Sequence, residues 1–378
     1  MKILLLKSHP HLSFLEHLAR GLKKRGHEVH ILVPREHPDC VKMRNLDIPV
    51  HINSILDLRI ARKRILWKEI GSFVELVRFM KKNSFDVISL NLSASRLFGR
   101  LASLFLKKST IVVSSIHAFE AYHERLTNKI DDGTVAATSA VRRYLVSKGI
   151  PQEKITVIHY GIDIEALDRI PEDKYYLHRE LGLDPSIKLI GMVAHFYRVD
   201  PRVNKGHKIF LDAAKIVSQK FRNIGFVIVG TNRFVSGYKE RFESYTRDLD
   251  MQDKVYFLGE RFDIPSIMSS CYANVLPSLK EGFGMVLLEA MARRIPNIAS
   301  RLESISEIIK DKETGLLLEP GNHCQLSEYI ISLLNNPEMA REIGLAGRKR
   351  LESHFTAADM ARKYEELFRR LLWEKSKR

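Results

Sequence analysis

Glu281 and Glu289 lie eight positions apart in PSLKEGFGMVLLEAMA, on either side of a Gly-Phe-Gly turn and the start of an apolar run. Gly282 and Gly284 permit backbone angles that other residues avoid and let the main chain approach a ligand closely. The residues from Met285 to Ala292 are strong helix formers, so a helix is predicted to begin near Met285. The unpaired N–H groups at such a helix start form an anion site suited to a phosphate. Glu281 is expected just outside that helix and Glu289 about one turn inside it, roughly 6–9 Å along the axis. Ionised carboxylates accept hydrogen bonds from hydroxyls, and this separation suits two ends of one elongated ligand. Taken alone, the same pattern also fits a solvated loop residue followed by the surface residue of an amphipathic helix. His117, in SSIHAF, ends another apolar run. It reads either as a hydrogen-bonded structural residue or as a neutral imidazole offered to a ligand.

Short apolar runs alternate with helix-like segments almost throughout the chain. MKILLL, HEVHILV, FDVISLNL, TIVVSSI and ITVIHYG read as buried strands, with HLSFLEHLARGLKKRG and the stretch around 64–82 as intervening helices. A second series begins near residue 188 with KLIGMVAHF and continues through FLDAAKIVSQKF, FVIVG, KVYFLGE, ANVLPS and NIAS. Two successive blocks of this kind predict two doubly wound α/β domains with mostly parallel sheets, which take ligands at the carboxyl ends of their strands. The expected division is 1–165 and 166–355, with a polar linker after Asp163 and a cleft between the domains. The last helical segment, 356–378, carries Met360, Tyr364, Leu367 and Leu371 at helical spacing and is free to dock on either domain, the first included.

The chain has 378 residues, too many for one core, and a net charge of +16. Residues 1–165 hold 27 Lys+Arg against 16 Asp+Glu, and the remainder 34 against 29, so the excess is concentrated in the first half. That asymmetry predicts an anionic partner: a phospholipid surface, a phosphorylated acceptor or nucleic acid. Nucleic acid is the weaker expectation, because aromatics do not interleave with the basic residues. No apolar run approaches the ~18–20 residues that span a bilayer. Cys40, Cys271 and Cys324 are scattered and are expected to be buried small hydrophobes in a reducing compartment. No HExxH or CxxC spacing points to zinc.

EGFGMVLLEAMA, with PS before it and RIPNIAS after it, resembles the glutamate-x7-glutamate motif of the retaining nucleotide-sugar glycosyltransferases of family 4, which have the GT-B fold. FDVISLNLS, VSSIHAF, ATSAVRRYLVSKGIPQEKITVIHYGID, HRELGL, NKGHKIFLDAA, FVIVG and SEIIKDKETGLLLEPGN resemble successive family blocks in the same order. The resemblance implies that Glu281 contacts hydroxyls of the donor sugar and that Glu289 hydrogen-bonds the ribose. The backbone of Phe283, Gly284 and Met285 is then expected to hold sugar and phosphate oxygens. Lys205, in NKGH, matches the lysine that neutralises the diphosphate; a fixed cation stabilises a leaving group that gains negative charge. His117 matches the family's histidine near sugar and acceptor. The chemistry implied is front-face substitution with retention, in which the departing phosphate helps deprotonate the acceptor, with no divalent metal and no cofactor beyond the donor.

Three departures from the family pattern stand out. The loop after the first strand reads Ser8-His9-Pro10-His11-Leu12-Ser13 and lacks the usual glycines; His9 and His11 read either as residues facing the acceptor or as decoration of the loop. His195 stands where an arginine is usual, and Arg198 or Arg202 in the following longer loop could supply the missing cation. Glu303-Ser304 replaces a Gly-Gly pair ahead of Glu307.

The stretch 58–82 combines an apolar stripe (Leu66, Ile70, Phe73, Val77, Met80) with eight Lys and Arg residues. It reads either as a helix packed on the sheet with a solvated basic face or as a docking face for an anionic membrane. Arg96, Arg100, Lys107 and Lys108 are expected to extend that patch. The functional expectation is a retaining, metal-independent glycosyltransferase in glycan or glycolipid biosynthesis, cytoplasmic or peripheral at the inner face of a membrane. A non-catalytic nucleotide-sugar-binding subunit and a sugar-nucleotide epimerase are the alternatives.

Overall fold

The computed structural model describes residues 1–9, 12, 14–57, 67–91, 93–119, 131–196, 205–230 and 237–377. Two compact units emerge, one of residues 1–163 with 355–378 and the other of 164–354. In the first unit the apolar runs become a seven-stranded parallel sheet: β1 (Lys2–Lys7), β2 (Glu28–Val33), β3 (Val50–Ile52), β4 (Val87–Asn91), β5 (Ile111–Ile116), β6 (Gly133–Ala136) and β7 (Ile155–Val157). Their spatial order is β3-β2-β1-β4-β5-β6-β7. Strand residues are almost all buried, as expected for a parallel sheet covered on both faces.

Helix α1 (Phe14–Lys24) covers one face together with the C-terminal helix Ala357–Ser376. Gly21 sets how closely these two approach, since a Cβ there would stand 2.7 Å from that of Ala361. Helices α2 (Trp67–Asn83) and α3 (Ser93–Ser103) cover the other face, enclosing a core that includes Leu76, Met80, Ile88, Leu90 and Phe98.

The second unit has a six-stranded sheet of β8 (Lys188–Val193), β9 (Ile224–Val229), β10 (Val255–Gly259), β11 (Cys271–Leu276), β12 (Asn297–Ser300) and β13 (Leu316–Leu318), in the order β10-β9-β8-β11-β12-β13. All neighbours within both sheets are parallel. Strand order reverses between β1 and β4 in the first unit and between β8 and β11 in the second. Doubly wound sheets bind ligands outside the carboxyl ends of their strands at such reversals. Helix α4 (His207–Lys220) follows the loop after β8, and α5 (Met285–Ala292) follows the loop after β11. Both loops leave strands that flank the reversal.

Several expectations need correction. Ile70 is exposed, and the buried face of α2 is carried by Leu76 and Met80 with Phe73 and Val77 partly covered. Arg96 and Arg100 are buried and take no part in a surface patch. Arg100 Nε donates to Asp131 Oδ1 at 2.7 Å, and a guanidinium nitrogen donates to Ser114 at 3.0 Å, so this charge is a structural tie. Cys324 is exposed, while Cys40 and Cys271 are buried. The short strands β3, β6 and β13 carry no alternation long enough to stand out in the sequence. No helix among the described residues is long and apolar enough to cross a membrane.

Candidate active site

In the second unit, Lys205 and Glu281 meet: Lys205 Nζ donates to Glu281 Oε2 at 2.5 Å, with both side chains mostly buried. The contact follows from the glycine after the lysine. Gly206 has φ +83°, and a Cβ at that position would stand 2.0 Å from the Pro277 carbonyl oxygen. Only glycine lets the start of α4 pack against the loop that leads to Glu281. His207, the first residue of α4, is buried and stacks on Phe196 with ring centroids 4.3 Å apart. Its Nε2 lies 3.4 Å from the Ala194 carbonyl, and burial holds its pKa down at about 3, so it is a neutral fastening between α4 and the end of β8.

Glu281 is held from several sides. Ser278 Oγ lies 3.4 Å from Oε2, and the Gly282 N–H donates to Oε1 at 3.2 Å. Ser304 Oγ donates to the Glu281 carbonyl at 2.5 Å from a fully buried position. The serine that replaces glycine there therefore anchors the glutamate's own backbone. The departure from the family pattern at Glu303-Ser304 was the sequence signal that could have pointed to this tie.

Gly284 caps α5 in the left-handed region with φ +88°, and no side chain satisfies that helix start. Phe283 is buried and Met285 half-buried, so main chain rather than side chain is what this turn presents. Glu289 lies one turn inside α5. It makes no hydrogen bond or ion pair among the described residues, and desolvation by burial raises its pKa to about 7. An unpartnered carboxyl in this position is costly unless something else uses it. A buried polar chain fixes the helix beneath: Asn297 Nδ2 donates to the Leu287 carbonyl at 3.1 Å, and Asn274 Nδ2 to Asn297 Oδ1 at 2.7 Å.

In the first unit, His117 follows β5 and its Nδ1 hydrogen-bonds the Tyr160 hydroxyl. Phe14 packs on both rings, with centroids 4.6 Å from His117 and 4.3 Å from Tyr160. Burial, then the positive charges of Lys7 and Arg96, hold the His117 pKa well below its usual value, so the ring is neutral. Burial also keeps the Tyr160 phenol protonated. His117 Nε2 is buried and has no hydrogen-bond partner among the described residues. The loop after β1 is fastened by buried Lys7, whose Nζ donates to the Leu12 carbonyl at 2.7 Å, while the Leu12 N–H donates to Asp39 at 2.7 Å. Lys7, Phe14 and Tyr160 are the members of this cluster that sequence reasoning missed, because each reads as an ordinary strand, helix or loop residue.

His9 is described and half-buried, whereas His11, Arg198 and Arg202 lie outside the described residues. The Gly259-Glu260-Arg261 segment brings Arg261 onto Asp263 and Glu180, at 2.8 and 2.5 Å, as part of a surface ion-pair network.

A family model described as Glycosyltransferase Family 4 matches residues 13–166, and one described as Glycosyl transferases group 1 matches 177–350. The chain is 27% identical over 230 residues to the N-acetyl-alpha-D-glucosaminyl L-malate synthase of Bacillus anthracis, covering 59% of this chain and 58% of that protein. The chain thus spans somewhat over half the length of that relative. It is 26% identical over 276 residues to the UDP-Gal:alpha-D-GlcNAc-diphosphoundecaprenol alpha-1,3-galactosyltransferase of Escherichia coli, covering 69% of each. Among solved structures, Anabaena HepE in complex with UDP and glucose superposes with a TM-score of 0.82 at 21% identity, over 97% of this chain and 99% of that one. Two Rossmann-like units, matched in order by two family models across nearly the whole length, make this chain a member of the family 4 glycosyltransferases with the GT-B fold.

Proposed function

We propose that the chain transfers a sugar from a nucleotide-diphosphate donor to an acceptor hydroxyl, with retention, in the building of a glycan or glycolipid. The observation that carries this reading is the Lys205–Glu281 pair, held at 2.5 Å in the loop before α5, together with the unpartnered carboxyl of Glu289 one turn inside that helix. A cation, a hydroxyl acceptor, an uncapped helix start and a second free carboxyl are the groups that a diphosphate joined to sugar and ribose requires.

In this reading the α5 start and the main chain of Phe283, Gly284 and Met285 hold phosphate and sugar oxygens. Glu281 accepts from sugar hydroxyls and Glu289 from the ribose. Lys205 shares its protons between Glu281 and the diphosphate, and its charge counts most as the glycosidic bond breaks and negative charge collects on the leaving oxygen. The departing phosphate oxygen takes the acceptor proton on the same face, so the protein need supply no nucleophile. His117, neutral and fixed by Tyr160, offers Nε2 to a sugar or acceptor hydroxyl. Where Tyr160 donates to Nδ1, Nε2 carries the hydrogen and acts as donor. Where the chain departs from the family pattern, Arg198 or Arg202 is proposed to supply a cation to the donor phosphates, and His9 and His11 to face the acceptor. No divalent metal is needed where lysine and arginine carry the positive charge. Of the relatives, one is named for a UDP-sugar donor and a lipid-linked acceptor, and that donor and acceptor class is the one proposed for this chain.

Nucleotide release measured across UDP-, GDP- and ADP-sugars tests the reading. One donor class is expected to turn over, with the rate unchanged by a chelator. Glu281→Ala and Lys205→Ala are each expected to lower kcat at least 100-fold while leaving the circular-dichroism spectrum intact. Near-normal turnover in either variant, or no nucleotide bound by the parent chain, overturns it.

A further inference from the structure

Glu281 is held from behind by a short piece of chain that carries none of the residues assigned to the donor. After β12 the backbone makes a single helical turn, Glu303–Ser306. Ser304 is 1% exposed, and its Oγ donates to the Glu281 carbonyl at 2.5 Å. Ile305, buried beside it, backs the start of α5: a Cβ added at Gly284 would stand 3.2 Å from Ile305 Cδ1. One turn of helix therefore supports both ends of the Glu281–Gly284 loop, by a hydrogen bond at the first residue and by packing at the last.

The turn is itself anchored. Arg350, on the helix Pro337–His354, donates from Nε to the Ile308 carbonyl at 2.5 Å. A terminal guanidinium nitrogen of the same side chain donates to the Glu307 carbonyl at 2.8 Å. Charged donors on two successive carbonyls make a firm tie. Ile308 and Ile309 are buried, and their N–H groups donate back to the Ile305 carbonyl at 2.9 Å each. By contrast, the loop's own sequence gives Glu281 little rigidity. Gly282 and Gly284 are permissive, and Lys205 meets the carboxylate on a flexible four-carbon stem. The fixed point comes from Ser304. The family pattern has glycine here, which offers no hydroxyl, so the tie is a feature of this chain.

We propose that Ser304 is a positioning residue that fixes Glu281 for the donor sugar, and so sets how sharply the site discriminates between sugars that differ at one hydroxyl. The inference deepens the transferase reading and rests on it for the role of Glu281. A site built to hydrogen-bond a hydroxyl rejects the wrong epimer by leaving a buried polar group unpaired, which works only while that group is held in one place. With the Ser304 tie, the carboxylate stays where one hydroxyl reaches it. Without the tie, the glycine-flanked loop relaxes and the carboxylate follows whichever hydroxyl is offered. Nucleotide and diphosphate are held by the α5 start, Lys205 and Glu289 in that reading, so the effect falls on the sugar.

Two variants of the full chain test this. Ser304→Ala removes the hydroxyl and keeps a helix former, and Ser304→Gly restores the residue of the family pattern. Each is compared with the parent on three probes: the donor that turns over in the nucleotide-release screen, its single-hydroxyl epimer on the same nucleotide, and the free nucleoside diphosphate. With the preferred donor, kcat is expected to fall about tenfold, the effect of one lost hydrogen bond on the held carboxylate. The epimer is expected to lose little, so the ratio of the two kcat/KM values narrows by about the same tenfold. Affinity for the free nucleoside diphosphate, measured by calorimetric titration, is expected to match the parent's. A merely structural serine would lower thermal stability and diphosphate affinity together with turnover and leave the epimer ratio at the parent's value. That pattern overturns the proposal, and so do variants with parental kcat and ratio. A parent chain that turns over no donor defeats the transferase reading and this inference with it, whereas an active parent with unaltered variants defeats this inference alone.

Discussion

At the scale of single residues, Glu289 makes the most exposed commitment. Its folded pKa of about 7 lies above the 4.5 of a free glutamate, and desolvation is the cause. A carboxyl with a raised folded pKa favours the protonated native state, so its contribution to stability is intact below about pH 4.5. It is lost as the pH rises to 7. Glu289→Gln is therefore expected to raise stability at pH 8 by roughly 1–3 kcal/mol and to leave it nearly unchanged at pH 4.5, as thermal unfolding at the two pH values would show. The same variant should lose donor affinity above pH 7, where the parent carboxylate is ionised and accepts from the ribose. In the parent chain, kcat/KM for the donor should fall as the pH drops through 7, and the substitution should flatten that limb. A gain in stability together with a loss of binding would mark Glu289 as a group kept for its ligand. A loss of stability at pH 8 would instead mean that the carboxylate has a structural partner.

At the scale of elements, the question is what brings Lys205 to Glu281 across 76 residues of sequence. The answer is the backbone at Gly206, which is left-handed and rests on the Pro277 carbonyl, so that the start of α4 and the loop after β11 become one surface. Gly206→Ala places a methyl group 2.0 Å from that oxygen in a conformation alanine resists. We expect a cost of about 3 kcal/mol or more in stability. Calorimetric titration should also show loss of nucleotide affinity even at temperatures where the fold survives. Unchanged affinity would separate the lysine from the donor site.

Much of this was legible in the sequence. The long apolar runs mark their strands, Gly284 and the helix formers after it mark α5, and the motif spacing marks Glu281 and Glu289. What was not legible has a common cause. Ser304 acts through a backbone carbonyl, Tyr160 through a ring nitrogen, and Lys7 through the loop it fastens. Each such partnership joins positions distant in sequence, and no local pattern encodes it. Ile70 was misassigned for a related reason: a stripe at helical spacing shows that one face is apolar, but not whether the sheet covers it. Arg100 failed in the opposite way, since its charge suggested a surface and its ion pair with Asp131 permits burial.

At the scale of the whole molecule, the chain leaves its first unit after Asp163 and returns to it at Phe355. The return is stitched to the departure. The Ile162 N–H donates to the Phe355 carbonyl at 3.0 Å, the Ala357 N–H donates back to Ile162 at 2.9 Å, and a Cβ on Gly161 would stand 2.1 Å from the Thr356 oxygen. The C-terminal helix then buries Met360, Tyr364, Leu367, Phe368 and Leu371. Tyr364 reaches Ser115 at 3.2 Å, and Lys375 reaches Asp132 at 2.8 Å. Five large apolar side chains are worth about 1.5–3 kcal/mol each when buried, comparable in sum to the whole stability of an ordinary domain. Ending the chain at His354 should therefore unfold or loosen the first unit, although the residues removed are the farthest from it in sequence. The second unit keeps all of its own strands in that truncation. Hydrogen exchange read by mass spectrometry should show protection lost across α1, β5 and β6 and retained across β8 to β13. Uniform loss would mean that the two units fold as one cooperative body, and unaltered protection in β5 and β6 would mean that the first core closes without the helix.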